Sequence, residues 1–302
     1  MVIGDVTRVT IGSCSDLYYV DTGMYDVPEY GSVYVVDAER PTIVETGIGT
    51  NYERVLEAVD AAGLEPEDIE VIAVTHVHLD HAGGAGFLAE ACPNATIVVH
   101  EIGAPHLVDP GRLWEGTRRA VGDQIVHYVE PEPVPGDRIR ELTDGDRIDL
   151  GDHDLIAHHA PGHAPHQVVY EDPANDAVFT GDAAGLYVPE RDRAEPTSPP
   201  PDFDLEAALR DIETIQSLGR ETLLYSHFGP TRRTHQLEGY GRRLSDWVQA
   251  VAAARNEFGD DEAVIEHFAG ETAASEIWGP DKGRGETAMN VRGVLTYLDR
   301  AD

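Results

Sequence analysis

The sequence predicts a layered α/β domain with a helical C-terminal extension. Three observations lead there. Short apolar runs of strand type come in an early and a later group, helical patterns are set among the early ones, and from about residue 234 the pattern is helical. A length of 302 residues accommodates one large domain or two small ones, and a hydrophobic fraction of 41% supports a sizeable core.

The elements follow in order. Residues 6–11, 17–20, 32–36 and 42–45 read as strands, with the Gly- and Tyr-bearing stretch 21–31 as a hairpin loop. Asn51 is the candidate cap of a helix whose apolar positions Val55, Leu56, Val59 and Ala62 recur at helical spacing, and Gly63 is its stop. Residues 69–74 are almost wholly apolar, as in a strand buried on both faces. A helix over 85–91 and a strand over 96–99 come next. The segment 105–135 is expected to be irregular, with Pro131, Pro133 and Pro135 marking a loop. Strands follow at 147–150, 154–158, 168–171 and 177–180. Five prolines from Pro189 to Pro201 predict an extended surface loop. Asp204 caps an amphipathic helix carrying Leu205, Leu209, Ile212 and Ile215 on one stripe, and a strand over 222–225 follows. The expected division is a catalytic unit over 1–230 and a packed extension over 231–302 in roughly three helical pieces.

Lys and Arg number 22 against 56 Asp and Glu, a formal net charge of −34. Lys282 is the only lysine, so 21 of the 22 basic residues are arginine. The acidic residues are spread along the whole chain, which implies a solvated acidic surface. This composition resembles that of proteins from salt-accumulating microbes, especially haloarchaea. In molar salt the Debye length falls to about 3 Å, so the charge does not exclude nucleic acid as a partner. No run approaches the roughly 18 apolar residues of a membrane span, and the first residues lack a secretory pattern. Cys14 and Cys92 make no disulfide framework. A soluble cytoplasmic protein with no membrane partner is expected.

The chemistry sits where the buried strand ends, in Thr75-His76-Val77-His78-Leu79-Asp80-His81-Ala82-Gly83-Gly84. Extended backbone puts His76 and His78 on one side, so both imidazoles reach one cation. The turn into a helix presents Asp80 and His81 to a neighbouring position, and Gly83 and Gly84 permit tight passage of the backbone. Four N and O donors within six residues is a pattern for first-row metals.

This His-x-His-x-Asp-His pattern resembles the signature of the metallo-β-lactamase fold superfamily, an αββα sandwich. Pro161-Gly162-His163, Thr180-Gly181-Asp182 and Ser226-His227-Phe228-Gly229-Pro230 are similar to the family's remaining ligand segments, each at an expected strand end. The similarity covers roughly residues 6–230. It implies two divalent metals, with zinc favoured over iron or manganese. His76, His78 and His163 would hold the first, and Asp80, His81 and His227 the second. Asp182 would bridge both, together with a hydroxide. Neutral imidazoles leave much of a dication's charge uncompensated, so bound water falls from pKa ~15.7 toward ~7. Asp80 is also placed to orient the nucleophile. Glu45-Thr46-Gly47 stands where the family often has Asp-x-Gly, which makes Glu45 a candidate partner of a ligand histidine.

Departures sort the branches. Secreted β-lactamases commonly have Cys where Asp182 stands, and flavodiiron proteins have Glu in the place of His78. Ribonuclease Z usually has Gly where Leu79 stands, and glyoxalase II continues its Gly-Asp differently from Ala183-Ala184-Gly185. The whole looks most like the glyoxalase/lactonase-type branch, which cleaves small esters, thioesters or lactones. A nuclease or phosphodiesterase of the same fold and a mononuclear iron persulfide dioxygenase are the alternatives.

Substrate-facing candidates are Tyr25 and Tyr30, either over the metals or in a surface turn, and Tyr187, as a donor to a developing oxyanion or as packing. Arg232, Arg233, Arg242 and Arg243 are candidates for recognising an anionic small molecule, against ordinary surface pairing. His166 and His235 lie near ligands in sequence, and at most one of His158 and His159 faces the site. The stripe Trp247, Val248, Val251 and Ala254 either packs on the core or makes a homodimer interface.

Overall fold

Alternation along the strands builds the layers. The computed structural model describes residues 1–232, 236–270 and 272–301. Among them, β1 (Val6–Arg8), β2 (Leu17–Asp21), β3 (Ser32–Val36), β4 (Thr42–Val44), β5 (Val71–Ala73), β6 (Thr96–His100) and β7 (Ile139–Leu142) lie side by side in that order. Pairing is antiparallel from β1 to β4 and parallel from β4 to β7. The second sheet takes β8 (Arg147–Asp149), β9 (Asp154–His159), β10 (Val168–Asp172) and β11 (Ala177–Gly181). A separate hairpin, β12 (Leu186–Val188) and β13 (Arg193–Glu195), precedes β14 (Thr222–Tyr225) and β15 (Gly229–Arg232). The order in that sheet is β15-β14-β11-β10-β9-β8, with β14 parallel to β11.

Period-two side chains split each strand between two cores. Tyr34, Val36, Val71, Ala73, Tyr170, Phe179 and Leu224 meet between the sheets. Val33, Val35, Ile72 and Val99 face outward from the first sheet onto α1 (Glu53–Ala61), with Val55 and Val59, and α3 (Ala85–Ala91), with Leu88. The single turn α2 (Leu79–Ala82) joins β5 to α3. On the far side, Val169, Val178, Leu223 and Tyr225 meet Ile212 and Ile215 of α6 (Leu205–Leu218) and the C-terminal helices. Those helices are α7 (Gln236–Phe258), α8 (Asp261–Gly270), α9 (Ala274–Trp278) and α10 (Pro280–Ala301). The result is helix, sheet, sheet, helix.

Several expectations meet the structure directly. Asp204 accepts from the Ala207 N–H at 2.8 Å and so caps α6, which Gly219 ends at φ 74°. Trp247, Val248, Val251 and Ala254 pack into the chain's own core. Other expectations are corrected. Asn51 makes no cap bond; it sits at φ 64°, and Tyr52 holds the cap position of α1. The segment expected to be irregular contains α4 (Ala104–Val108) and α5 (Gly111–Val121). Leu113, Trp114, Ala120 and Val121 of α5 recur on one helical face, although none of its residues is fully buried. The proline-rich stretch is no surface loop throughout. It contains β13, and Ser198, Pro199 and Pro200 are buried or nearly so.

Candidate metal centre

The ligand candidates are delivered by strand ends on one rim of the sandwich. The chain leaves β5 through Thr75, reaches His76 and His78 in extended backbone, and turns into α2 with Asp80 and His81. His163 follows β9, Asp182 follows β11, and His227 sits between β14 and β15. The passage demands glycine at Gly84, where a Cβ would stand 2.3 Å from the Thr46 carbonyl oxygen.

Two triples of ligand atoms form. His78 Nδ1 lies 3.1 Å from His76 Nε2 and 3.0 Å from His163 Nε2. In the second, His227 Nε2 and His81 Nε2 are 3.2 Å apart, with Asp80 Oδ2 at 3.7 and 3.9 Å from them. Asp182 spans the two. Its Oδ2 is 3.3 Å from His163 Nε2, while its Oδ1 is 3.4 Å from His81 Nε2 and 3.7 Å from His227 Nε2.

The outer nitrogens set the tautomers. Glu45 is a carboxylate that only accepts, so His81 donates to it from Nδ1, at 3.2 Å. Ser226 Oγ donates to the same oxygen at 2.8 Å, as does Thr75 Oγ1. With its proton committed, Thr75 Oγ1 accepts from His76 Nδ1 at 3.1 Å. The Tyr30 carbonyl accepts from His227 Nδ1 at 2.8 Å. With their Nδ1 protons committed outward, His76, His81 and His227 all direct Nε2 inward, where the Nε2 atoms of His81 and His227 stand 3.2 Å apart. A cation satisfies that arrangement. Asp182 Oδ1, buried and without a hydrogen-bond partner, points into the same space.

Electrostatics agree with the donor set. Burial, reinforced by neighbouring imidazoles, holds His76 well below the ordinary imidazole range. Burial also lowers His78, and takes His163 down to about 3. Burial would raise Asp182, yet His81, His163 and His227 hold it far below the usual carboxylate range. Asp80 is likewise lowered by His81 and His227 against the effect of burial. His81 is the exception: burial pulls it down, but Asp182, Glu45 and Asp80 raise it well above normal. Those carboxylates carry the negative charge that bound dications would balance.

A cavity of about 540 Å³, counted to its open mouth, lies over the triples. Tyr25 and Tyr30 line it, joined by Thr117, Ala120 and Val121 of α5, Tyr128, Leu186, and Thr197, Pro199 and Pro200. Glu286 and Met289 close it from α10. The two loop tyrosines are thus walls rather than a surface turn, 7% and 3% exposed. Tyr187 is corrected. Leu186 and Val188 face the cluster around Tyr25, so alternation turns Tyr187 to the other side of β12. There it stacks on Tyr225 at 5.5 Å and donates to Asp192 Oδ1 at 2.9 Å. Among the described residues of the arginine cluster none lines the cavity either. Arg232 is exposed 3.7 Å from Glu221, Arg242 is exposed, and Arg243 donates to the Ala194 carbonyl at 3.1 Å. Arg233 and His235 lie outside the described residues.

His166 is buried beside the first triple, 5.5 Å ring to ring from His78. His158 bonds Glu171 and His159 bonds the Pro165 carbonyl, so neither is among the ligand atoms. The cavity walls from α5 and α10 were invisible in sequence, since they lie far from any motif in ordinary helical patterns.

Two opposed mixed sheets with His/Asp clusters at one rim define the metallo-β-lactamase class of fold. The model of the metallo-beta-lactamase superfamily matches residues 26–227, and the chain belongs to that superfamily. It is 27% identical over 220 residues to a metallo-beta-lactamase fold-containing protein of Sulfurisphaera tokodaii, covering 72% of this chain and 79% of that one. An acyl-coenzyme A thioesterase of Gallus gallus is 28% identical over 186 residues, 56% of this chain and 62% of the thioesterase. A diflavin flavoprotein of Synechocystis is 26% identical over 57% of this chain, which spans only 26% of that protein. The crystal structure of an archaeal superfamily protein from Sulfolobus tokodaii has the same fold. Its TM-score is 0.68 at 21% identity, over 93% of this chain and 99% of that chain.

Proposed function

We propose that the chain is a binuclear metal-dependent hydrolase acting on a small ester, thioester or lactone. The observation that carries this reading is the convergence of His76, His78, Asp80, His81, His163 and His227 in two adjoining triples, with the Asp182 carboxylate reaching both. His76, His78 and His163 would hold one cation, Asp80, His81 and His227 the other, and Asp182 both. Two such ions, with zinc the proposed identity, would supply Lewis acidity and a water acidified to near neutrality.

The chain's own groups do the rest. The Asp80 side chain, 22% exposed, lines the cavity, and its carboxylate is suited to orienting an incoming water. Glu45 and the Tyr30 carbonyl keep His81 and His227 in the ligating tautomer. The walls formed by Tyr25, Tyr30, Tyr128, Leu186 and Pro199 offer an apolar surface to an acyl group. Among the described residues no Lys or Arg lines the cavity, which supports a substrate uncharged where it meets the metals. That lining also weighs against nucleic acid. The thioesterase relative supports a thioester among the candidates.

Metal analysis combined with a substrate panel in molar KCl tests the reading. Close to two zinc ions per chain are expected, falling in Asp182→Ala, with metal-dependent cleavage of thioesters or lactones. Less than one tightly bound metal overturns the binuclear site. Efficient RNA cleavage without ester cleavage, or iron with persulfide oxidation, overturns the substrate class.

A further inference from the structure

The sole lysine is not on the surface. Lys282 and Glu286 are one turn apart on α10, each side chain 5% exposed, with the ammonium 2.8 Å from Glu286 Oε2. The same carboxylate receives the Tyr30 hydroxyl at 2.9 Å, and Asn290, a turn further on, donates to its Oε1 at 2.9 Å. The ammonium also lies over two aromatic faces, 3.6 Å from the Tyr25 centroid and 4.3 Å from that of Tyr30. Tyr30 in turn holds His227 twice: its carbonyl takes the Nδ1 proton, and its ring meets the imidazole at 4.9 Å.

We propose that Lys282 and Glu286 are positioning residues for the second ligand triple, acting through Tyr30 on His227, and that arginine cannot replace the lysine. This rests on the binuclear reading above. The helix thereby becomes part of the metal machinery, although it lies beyond the matched family region. A buried carboxylate saturated by three donors is rigid, and truncating one donor leaves uncompensated charge in the interior. Composition carries the second half of the argument. Where this chain needs a cation it uses arginine 21 times, so the one lysine marks a place that guanidinium does not serve. An ammonium is a compact point charge that fits between two ring faces, one carboxylate oxygen and, at 3.4 Å, the Gln124 amide oxygen. A planar five-donor fork extends past that space and demands further acceptors.

The test uses the full chain, stripped of metal and titrated with Zn²⁺ and with Co²⁺ in molar KCl, in Lys282→Met, Lys282→Arg and Tyr30→Phe. The thermal midpoint of each metal-free protein is measured in parallel. Both lysine variants are expected to weaken one of the two metal equivalents by about tenfold or more while sparing the other, with a changed Co²⁺ spectrum for the weakened site. Tyr30→Phe, which removes only the hydroxyl link, is expected to weaken the same equivalent by less. Parent-like affinity in Lys282→Met overturns the proposal, and parent-like affinity in Lys282→Arg overturns its lysine-specific half. Equal weakening of both equivalents that tracks a lowered midpoint also overturns it, since that is a structural effect. If Lys282→Met does not fold, Tyr30→Phe decides, and unchanged affinity there overturns the proposal. A parent chain that binds fewer than two ions defeats the binuclear reading itself, and is recognised because the failure appears before any substitution.

Discussion

Replacing Glu45 by glutamine should cost the second ligand triple its affinity while leaving the fold intact. Glu45 Oε1 accepts from Thr75 Oγ1, from Ser226 Oγ at 2.8 Å and from His81 Nδ1 at 3.2 Å, and Oε2 faces the Thr75 N–H at 3.4 Å. Glutamine offers one oxygen. If that oxygen keeps the crowded position, its NH₂ confronts the Thr75 N–H, and the remaining bonds weaken from charge-assisted to neutral. Loss of an outer partner of a ligand histidine costs about 10–100-fold in metal affinity, equivalent to roughly 1.4–2.8 kcal/mol. Alanine leaves all those donors stranded in the interior and should destabilise the metal-free protein by about 3–5 kcal/mol. Aspartate separates reach from backbone comfort. Glu45 sits at φ 72°, where Asp is better tolerated, but Asp falls one methylene short of the three donors. Its affinity loss should lie between none and that of glutamine. Chelator-competition titration with Zn²⁺ and thermal melts of the metal-free protein measure both effects. Parent-like binding of both equivalents by Glu45→Gln would refute the tautomer argument.

Three further outcomes are expected. Burial pushes the Asp211 carboxyl from 3.8 up to about 6, so its favourable contribution is full below pH 4 and is lost as pH rises through 6. Asp211→Asn keeps an acceptor for the Gly162 N–H at 2.6 Å and should remove that loss, roughly 3 kcal/mol at neutral pH; a denaturation-versus-pH curve identical to the parent's contradicts it. A Cβ at Gly293 would stand 1.8 Å from the Ser198 carbonyl oxygen, so Gly293→Ala should cost about 1–3 kcal/mol and raise KM by moving the Pro199–Pro200 wall, measured by melting and by kinetics. Tyr187→Phe should leave kcat within about twofold, because its hydroxyl serves Asp192 on the far side of β12; a tenfold fall would restore it to the reaction.

His76, His78, Asp80 and His81 were legible because metal-binding residue types stand there at short spacing, whereas His163, Asp182 and His227 were reached only through the resemblance to the superfamily's segments. Buried strands are written in apolar runs. Tyr187 misled because its distance along the chain from Asp182 is short, and only pairing within the β12–β13 hairpin decides which way alternate side chains face. α5 does carry an apolar face in sequence (Leu113, Trp114, Ala120, Val121), and only the packed structure decides that this helix covers the site.

The sequence by itself therefore determined the layered α/β class, the His76-to-His81 cluster and the solitude of Lys282, and its family resemblance supplied the sandwich and the remaining candidates. Only the tertiary structure decided the tautomers, the walls of the cavity and the place of that lysine. Each of these depends on contacts between segments far apart in the chain, as when Glu286 meets Tyr30 across 256 positions. No local pattern encodes such a contact, because burial and direction are properties of the packed layers rather than of any one segment.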